Sequence, residues 1–147
     1  MTQAFVFPGQ GSQAVGMGHA LAEAYPEARA VFAAVDDALG QKLSRLMWQG
    51  PEDELTLTEN AQPALMAVSI AALRVLEARG LNLAESASHV AGHSLGEYTA
   101  LTAAGALQLE DTARLLKLRG QAMQRAVPVG VGAMAALLGL DFDAVAE

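Results

Sequence analysis

The stretch His89-Val90-Ala91-Gly92-His93-Ser94-Leu95-Gly96-Glu97-Tyr98 decides how this chain is read. Residues 89–92 read as a short strand, Ser94-Leu95-Gly96 as the entry to a helix ending near Gly105, and the two meet in the pattern G-x-S-x-G. Small residues two before and two after a serine permit a strained strand-to-helix turn that lifts the hydroxyl out of the sheet. There the amide of Leu95 is placed to meet a developing oxyanion, and the dipole of the following helix favours the negative charge. The plainer alternative is a glycine-rich turn whose serine merely caps that helix.

Outward from this turn, strand and helix signals alternate. Ala4-Phe5-Val6-Phe7, closed by Pro8-Gly9, reads as a buried first strand feeding a glycine-rich loop over residues 9–18 and then a helix. Pro26 suits the first turn of a second helix, with Val31, Phe32, Val35 and Leu39 on one face and Gly40 as its stop. After Pro51 and the acids Glu52, Asp53 and Glu54, Pro63 is expected to open a long helix with Leu65, Val68, Ala72, Val75 and Leu76 apolar, stopping at Gly80. Asp111 is placed to cap a helix over 112–126, and Pro128 and Gly130 follow it. Residues 134–140 read as a further strand and Asp141 as the cap of a last helix. The alternation predicts an α/β fold with a mainly parallel sheet. That last helix has no stop signal before Glu147, so the chain reads as the front part of a longer one.

Composition narrows the possibilities. The chain has 147 residues, room for one core, and is 52% apolar and 17% charged, which excludes wholesale disorder. Its net charge of -7 argues against nucleic acid and anionic membrane as partners. With no cysteine, disulfides, thiolate nucleophiles and cysteine metal sites are excluded, and His19, His89 and His93 are too scattered for a zinc set. Residues 1–10 lack a basic, then apolar, export signal, and the apolar stretch from residue 64 is broken by Arg74 and Glu77. The expectation is a soluble protein with the cytoplasm as default.

Three further features bear on chemistry. Along 112–126, Arg114, Lys117, Gln121 and Arg125 share one helical face; Leu115, Arg119, Ala122, Met123 and Ala126 share the opposite, mostly apolar one. Arg119 is thereby expected to point inward, where a guanidinium needs an anion: either a structural acid elsewhere in the chain or the carboxylate of a substrate. The outer basic stripe is a solvated face or a dock for an acidic partner. Gly9-Gln10-Gly11-Ser12-Gln13-Ala14 formally matches a dinucleotide fingerprint, but Asp36 and Asp37, the acids at the required distance, fall in a helical pattern rather than at a strand end. The loop is better read as presenting amides to the serine turn. None of the three histidines is a convincing base for Ser94: His93 is its chain neighbour, and His89 lies at the far end of the strand.

Four motifs then converge: Phe7-Pro8-Gly9-Gln10-Gly11-Ser12-Gln13, Ala61-Gln62-Pro63-Ala64-Leu65, Gly92-His93-Ser94-Leu95-Gly96-Glu97-Tyr98, and Leu118-Arg119-Gly120 with Met123. In order and over the whole chain, they resemble the malonyl-CoA:acyl carrier protein transacylases of bacterial type II fatty acid synthesis, relatives of polyketide synthase acyltransferase domains. The resemblance implies ping-pong malonyl transfer from malonyl-CoA, through an ester on Ser94, to acyl carrier protein, with no metal or other cofactor. By the same resemblance the amides of Gln10 and Leu95 form the oxyanion hole. Arg119 holds the malonyl carboxylate, and Gln62, His93 and Met123 complete the substrate site. Residues 1–127 would belong to an α/β-hydrolase-like subdomain and 132–147 to the start of a ferredoxin-like one. The family's catalytic histidine, and the glutamine that orients it, would lie beyond residue 147, leaving these residues alone with little or no activity. The alternatives are a polyketide-type acyltransferase, a serine esterase of other acyl specificity, or a non-catalytic module binding acyl carrier protein or coenzyme A.

Overall fold

The computed structural model describes residues 3–128, 130–132, 139, 144 and 145. Its elements run β1 (Gln3–Phe7), α1 (His19–Ala24), α2 (Pro26–Leu39), α3 (Leu43–Gln49), α4 (Glu52–Thr56), α5 (Thr58–Glu77), α6 (Leu83–Ser86), β2 (Ala87–Gly92), α7 (Leu95–Ala103) and α8 (Leu109–Ala126). β1 and β2 pair in parallel, with Ala4 opposite His89 and Phe7 opposite Gly92. The architecture is the expected α/β one. The register also brings the glycine loop and the serine turn off the same, carboxyl end of the sheet, the end where α/β proteins place their ligands. The expected strand at 134–140, the Asp141 cap and nearly all of the expected ferredoxin-like segment over 132–147 lie outside the described residues.

Several local expectations hold for the reasons that motivated them. Pro26 is the first residue of α2, Val31, Phe32 and Val35 are buried, and Gly40 ends the helix in the left-handed region at φ 57°. Others do not. β1 is not a buried strand: Phe7 is in the core, but Val6 on the opposite face is 73% exposed. Successive strand residues face opposite sides, and among the described residues only the Phe5–Phe7 side is covered by helices.

Pro63 does not open the long helix. α5 begins at Thr58, where the Leu57 carbonyl accepts from the amides of both Asn60 and Ala61, and Pro63 lies inside it. Ala61, Gln62, Pro63 and Ala64 are all buried there, so tertiary packing carries the helix through a residue whose propensity argues for a boundary. Likewise α8 starts at Leu109, and Asp111 sits within its first turn, 2.8 Å from Arg114. An acid there complements the helix dipole without capping.

The buried face of α8 is also not the one that counting apolar residues suggests. Thr112, Ala113, Leu116 and Gly120 are buried, whereas Leu115, Ala122 and Ala126 are exposed. Small residues set this choice. A Cβ at Gly120 would lie 2.5 Å from Glu59 Cα and 2.7 Å from Thr58 O, so glycine is what lets α8 press against the first turn of α5. Gly120→Ala is expected to destabilise the protein by about 1–3 kcal/mol, despite alanine's better helix propensity, because backbone rather than a side-chain tip must yield. A urea midpoint unchanged or raised would contradict this.

Two members of the expected outer basic stripe are consequently engaged inside the fold. Lys117 Nζ donates to Gln41 Oε1 at 3.0 Å and Asn60 Oδ1 at 2.9 Å, and lies 3.2 Å from Glu59 Oε2. Gln121 Nε2 donates to the same Glu59 oxygen at 3.1 Å, and the Glu59 amide donates to Gln124 Oε1 at 2.8 Å. Arg114 and Arg125 remain exposed. Burial raises the Glu59 carboxyl, but hydrogen bonds from Gln121 and Lys117 and the ammonium charge outweigh it and hold the carboxyl below its ordinary value. A carboxyl lowered in the folded state stabilises above its unfolded value, and that stabilisation is lost as pH falls through the lowered one. Wild type should therefore lose stability relative to Glu59→Gln below about pH 4. Parallel stability curves from pH 6 downward would refute the assignment.

Candidate active site

The strand-to-helix turn is built by close backbone contacts. The His93 amide donates to Phe7 O at 3.2 Å, the Gly96 amide to His93 O at 2.9 Å and the Glu97 amide to Ser94 O at 3.1 Å. A Cβ at Gly92 would sit 1.9 Å from the Gly96 carbonyl, and one at Gly96 would sit 2.3 Å from Phe7 O. Both flanking positions of the motif thus require glycine on steric grounds. Between them Ser94 adopts φ 55°, ψ -114°, the one described non-glycine residue at positive φ. Such a conformation costs on the order of 1–3 kcal/mol and persists only where its surroundings over-determine it.

Ser94 occupies the N-cap position of α7 but makes no side-chain capping bond, and its side chain is exposed. Its Oγ accepts a hydrogen bond from Arg119 Nη2 at 3.1 Å instead. The capping alternative fails on that geometry, since a capping hydroxyl would turn back onto its own helix.

Arg119 is half-buried on the flank of α8, not on its core face. Its Nη1 donates to Gln62 Oε1 at 2.7 Å, and its Cζ lies 5.8 Å from the Tyr98 ring centre. Gln62, 1% exposed on α5, turns its amide nitrogen to Met123 Sδ at 3.3 Å. Gln62, Ser94, Arg119 and Met123 are therefore one constellation, drawn from three helices. Tyr98, one turn along α7 from the serine, joins them; it stood in the quoted motif without being singled out. Among the described residues no carboxylate pairs with Arg119. The structural-acid alternative finds no support there, and the guanidinium keeps donors for an incoming anion.

The loop after β1 abuts the turn: a Cβ at Gly9 would lie 2.4 Å from His93 Nδ1. Within the loop, the Gly11 amide donates to Gln13 Oε1 at 2.9 Å and the Gln10 side chain to Thr58 Oγ1 at 3.4 Å. The amides of Gln10 and Leu95 donate to no backbone carbonyl outside regular helices and strands among the described residues. Asp36 has different employment from a dinucleotide ligand: it is buried in α2 and accepts from the Ser44 amide at 2.8 Å and the Ser44 hydroxyl at 2.7 Å.

The histidines are dispersed. His19 packs against Trp48 with ring centres 5.0 Å apart and planes tilted by 40°, His89 Nδ1 lies 3.0 Å from Ser88 Oγ, and the exposed His93 lies against Gly9. Among the described residues none hydrogen-bonds Ser94 Oγ.

A serine exposed on a strained turn between strand and helix, at the carboxyl end of a parallel sheet and facing an arginine, gives the chain the nucleophile-elbow geometry of one class of α/β proteins. Within that class the chain belongs to the acyl transferase domain family, which matches residues 4–145. It is 50% identical over 144 residues to the malonyl CoA-acyl carrier protein transacylase of Bacillus subtilis, covering 98% of this chain and 44% of that protein. The Escherichia coli protein of the same name is 49% identical over 148 residues, covering 100% of this chain and 47% of its own length. A crystal structure of the acyl-carrier-protein S-malonyltransferase from Bartonella henselae superposes with a TM-score of 0.94 at 62% identity, over 99% of this chain and 46% of that one. A malonyl-transacylase in complex with its type II polyketide acyl carrier protein gives a TM-score of 0.81 at 48% identity, over 87% of this chain and 40% of that one. The chain spans about half the length of the curated relatives it matches.

Gly96→Ala tests the turn itself. Forcing α7 away from Phe7 should cut the rate at which a fluorophosphonate labels Ser94 in the full-length protein by about tenfold or more, as ångström-scale displacements do. Labelling at the wild-type rate would show that the close approach does not set the hydroxyl's position.

Proposed function

We propose that the protein carrying these residues transfers a malonyl group from malonyl-CoA to the phosphopantetheine thiol of acyl carrier protein. The observation that carries this is the Arg119 guanidinium, 3.1 Å from the Ser94 hydroxyl and without a carboxylate partner among the described residues. A malonyl thioester bears its carboxylate two bonds from the carbonyl carbon that the serine attacks. One guanidinium beside the nucleophile is suited to hold that carboxylate while the carbonyl meets Oγ.

In the first half-reaction Ser94 Oγ bonds to the thioester carbon, the C–S bond breaks, coenzyme A leaves as its thiol, and malonyl remains as a serine ester. In the second, the carrier thiol bonds to the same carbon, the ester C–O bond breaks, and the hydroxyl is restored. The oxyanion formed in each half-reaction would be held by the amides of Gln10 and Leu95. Gln62 would orient Arg119, with His93 and Met123 lining the acyl group. The base that takes the serine proton is assigned outside the described residues. No metal or cofactor is needed for this chemistry. These proposed substrates favour a cytoplasmic location, and the names of the relatives support both malonyl donor and carrier acceptor. Resemblance to the polyketide transacylase supports a second reading in which the carrier serves polyketide synthesis.

Incubating the full-length protein with malonyl-CoA should give a malonyl adduct on Ser94 by peptide mass spectrometry, absent in Ser94→Ala. Finding no adduct on the wild-type serine would sink the proposal. Arg119→Ala should lower kcat/KM for malonyl-CoA by roughly 10- to 100-fold, the loss of a charge-assisted hydrogen bond, and for acetyl-CoA far less. Equal losses for both would remove the carboxylate role.

A further inference from the structure

We infer that Glu59 and Lys117, neither of which reaches Ser94, are positioning residues that set acyl selectivity by fixing the rotation of α8 and hence the place of the Arg119 guanidinium. The inference rests on the reading of Arg119 as the carboxylate ligand given above.

Helical geometry separates the two sides of α8. At about 100° per residue, Lys117, Gln121 and Gln124 fall on one side of the Gly120 seam, and Arg119 and Met123 on the other. The structure uses both sides against successive turns at the start of α5. On one side Lys117 and Gln121 converge on Glu59 Oε2, at 3.2 and 3.1 Å, while Gln124 takes the Glu59 amide at 2.8 Å. On the other, Arg119 meets Gln62, one turn further along α5, at 2.7 Å.

Gly120 alone cannot fix the rotation. It permits the close approach, but with no side chain it offers nothing to resist rolling of one helix over the other. The Lys117 side supplies that resistance. Its ammonium has three acceptors, Glu59 Oε2, Asn60 Oδ1 and Gln41 Oε1, so every donor is directed. Gln41 in turn donates to Asn60 Oδ1 at 3.2 Å, and Asn60 to Glu54 O at 2.8 Å, which anchors the group to the segment after α2 and to α4. The Lys117 and Glu59 side chains are 21% and 26% exposed, so solvent weakens their pairing less than at an open surface.

The lever is short and the tolerance small. A side chain about 6 Å from the helix axis moves about 1 Å for a 10° roll. A 1 Å displacement of a group that holds a substrate can cost up to about 10²-fold. Releasing the Lys117 side is therefore expected to disturb the carboxylate-bearing substrate and to spare one without a carboxylate.

The test measures kcat and KM for malonyl-CoA and acetyl-CoA on the full-length protein, comparing wild type with Glu59→Gln, Lys117→Met and Lys117→Arg. In Glu59→Gln and Lys117→Met, kcat/KM for malonyl-CoA should fall about tenfold, mainly through KM, with acetyl-CoA changed less than about twofold. Lys117→Arg, which keeps the charge and the donors, should recover most of the malonyl loss. A malonyl-to-acetyl ratio unchanged in both Glu59→Gln and Lys117→Met overturns the inference, whether activity is retained or lost equally. Should Lys117→Met not fold, Glu59→Gln decides alone, because its amide preserves size and most hydrogen bonds. A wild-type protein that forms no malonyl ester defeats the proposed function instead. The positioning role is then read from a crystal structure of Glu59→Gln, where an intact Arg119–Gln62 hydrogen bond would overturn it.

Discussion

The contact of Gly120 with the backbone of Glu59 governs how closely the arginine-bearing helix approaches the rest of the site. Because no Cβ intervenes, α8 lies against the first turn of α5 at backbone distance, and the side chains on either side of the seam are brought onto the same stretch of α5. A methyl group at this point, 2.5 Å from Glu59 Cα, would have to push the helices apart by about 1 Å, more than the roughly 0.5 Å range over which hydrogen-bond lengths vary. The Arg119–Gln62 and Arg119–Ser94 bonds, at 2.7 and 3.1 Å, both depend on that spacing.

The serine turn is the second constraint, and it is of a different kind. Its strain is local, at one φ angle, and is imposed by contacts between main-chain atoms of β1, β2 and α7. Such contacts are insensitive to side-chain rearrangement, so the hydroxyl is held by the most rigid parts of the fold. Arg119, by contrast, is a long side chain whose position depends on helix packing. The Ser94 hydroxyl is fixed by the backbone and the Arg119 guanidinium by side-chain packing, which are separable means of control.

How much of this was legible follows the same division. The turn could be read from Gly92, Ser94 and Gly96 because its requirements are local: spacing, residue size and a strand-helix boundary. Pro26 and Gly40 bounded α2 for equally local reasons. The start of α5 could not be read, since Pro63 signals a boundary locally and only burial of its neighbours overrides it. The buried face of α8 is not set by apolar count alone, because the side-chain-free Gly120 fixes which side meets α5 and carries Thr112, Ala113 and Leu116 inward with it. Leu115 looks like a core residue but is exposed, whereas Ala113 and Gly120 are buried, Gly120 at backbone distance from α5. Nothing local separates Lys117 from a solvated or docking residue, because its partners, Gln41, Glu59 and Asn60, lie 57 or more residues away in the chain. Arg119 is marked as unusual by the apolar stripe around it, yet it lies on the flank of the core face and meets neutral partners, Gln62 and Ser94, which the stripe does not disclose.

Two cations on one helix, two residues apart, make the chemical distinction plain. Lys117 faces a glutamate and two amide oxygens, so its charge is already neutralised and its donors are filled. Arg119 faces an amide oxygen, a hydroxyl and a tyrosine ring, all without net charge. Gln62 matters here because of what it is not. A glutamate in its place would reach the same nitrogen with nearly the same shape, but would form an ion pair and compete with any carboxylate brought to the serine. The glutamine amide orients the guanidinium through one lone pair and leaves its charge uncompensated. Partial burial then raises the cost of that uncompensated charge and, with it, the advantage gained by a substrate that supplies the missing anion. The neutrality of Gln62 is therefore what leaves the charge of Arg119 open to an anion from outside.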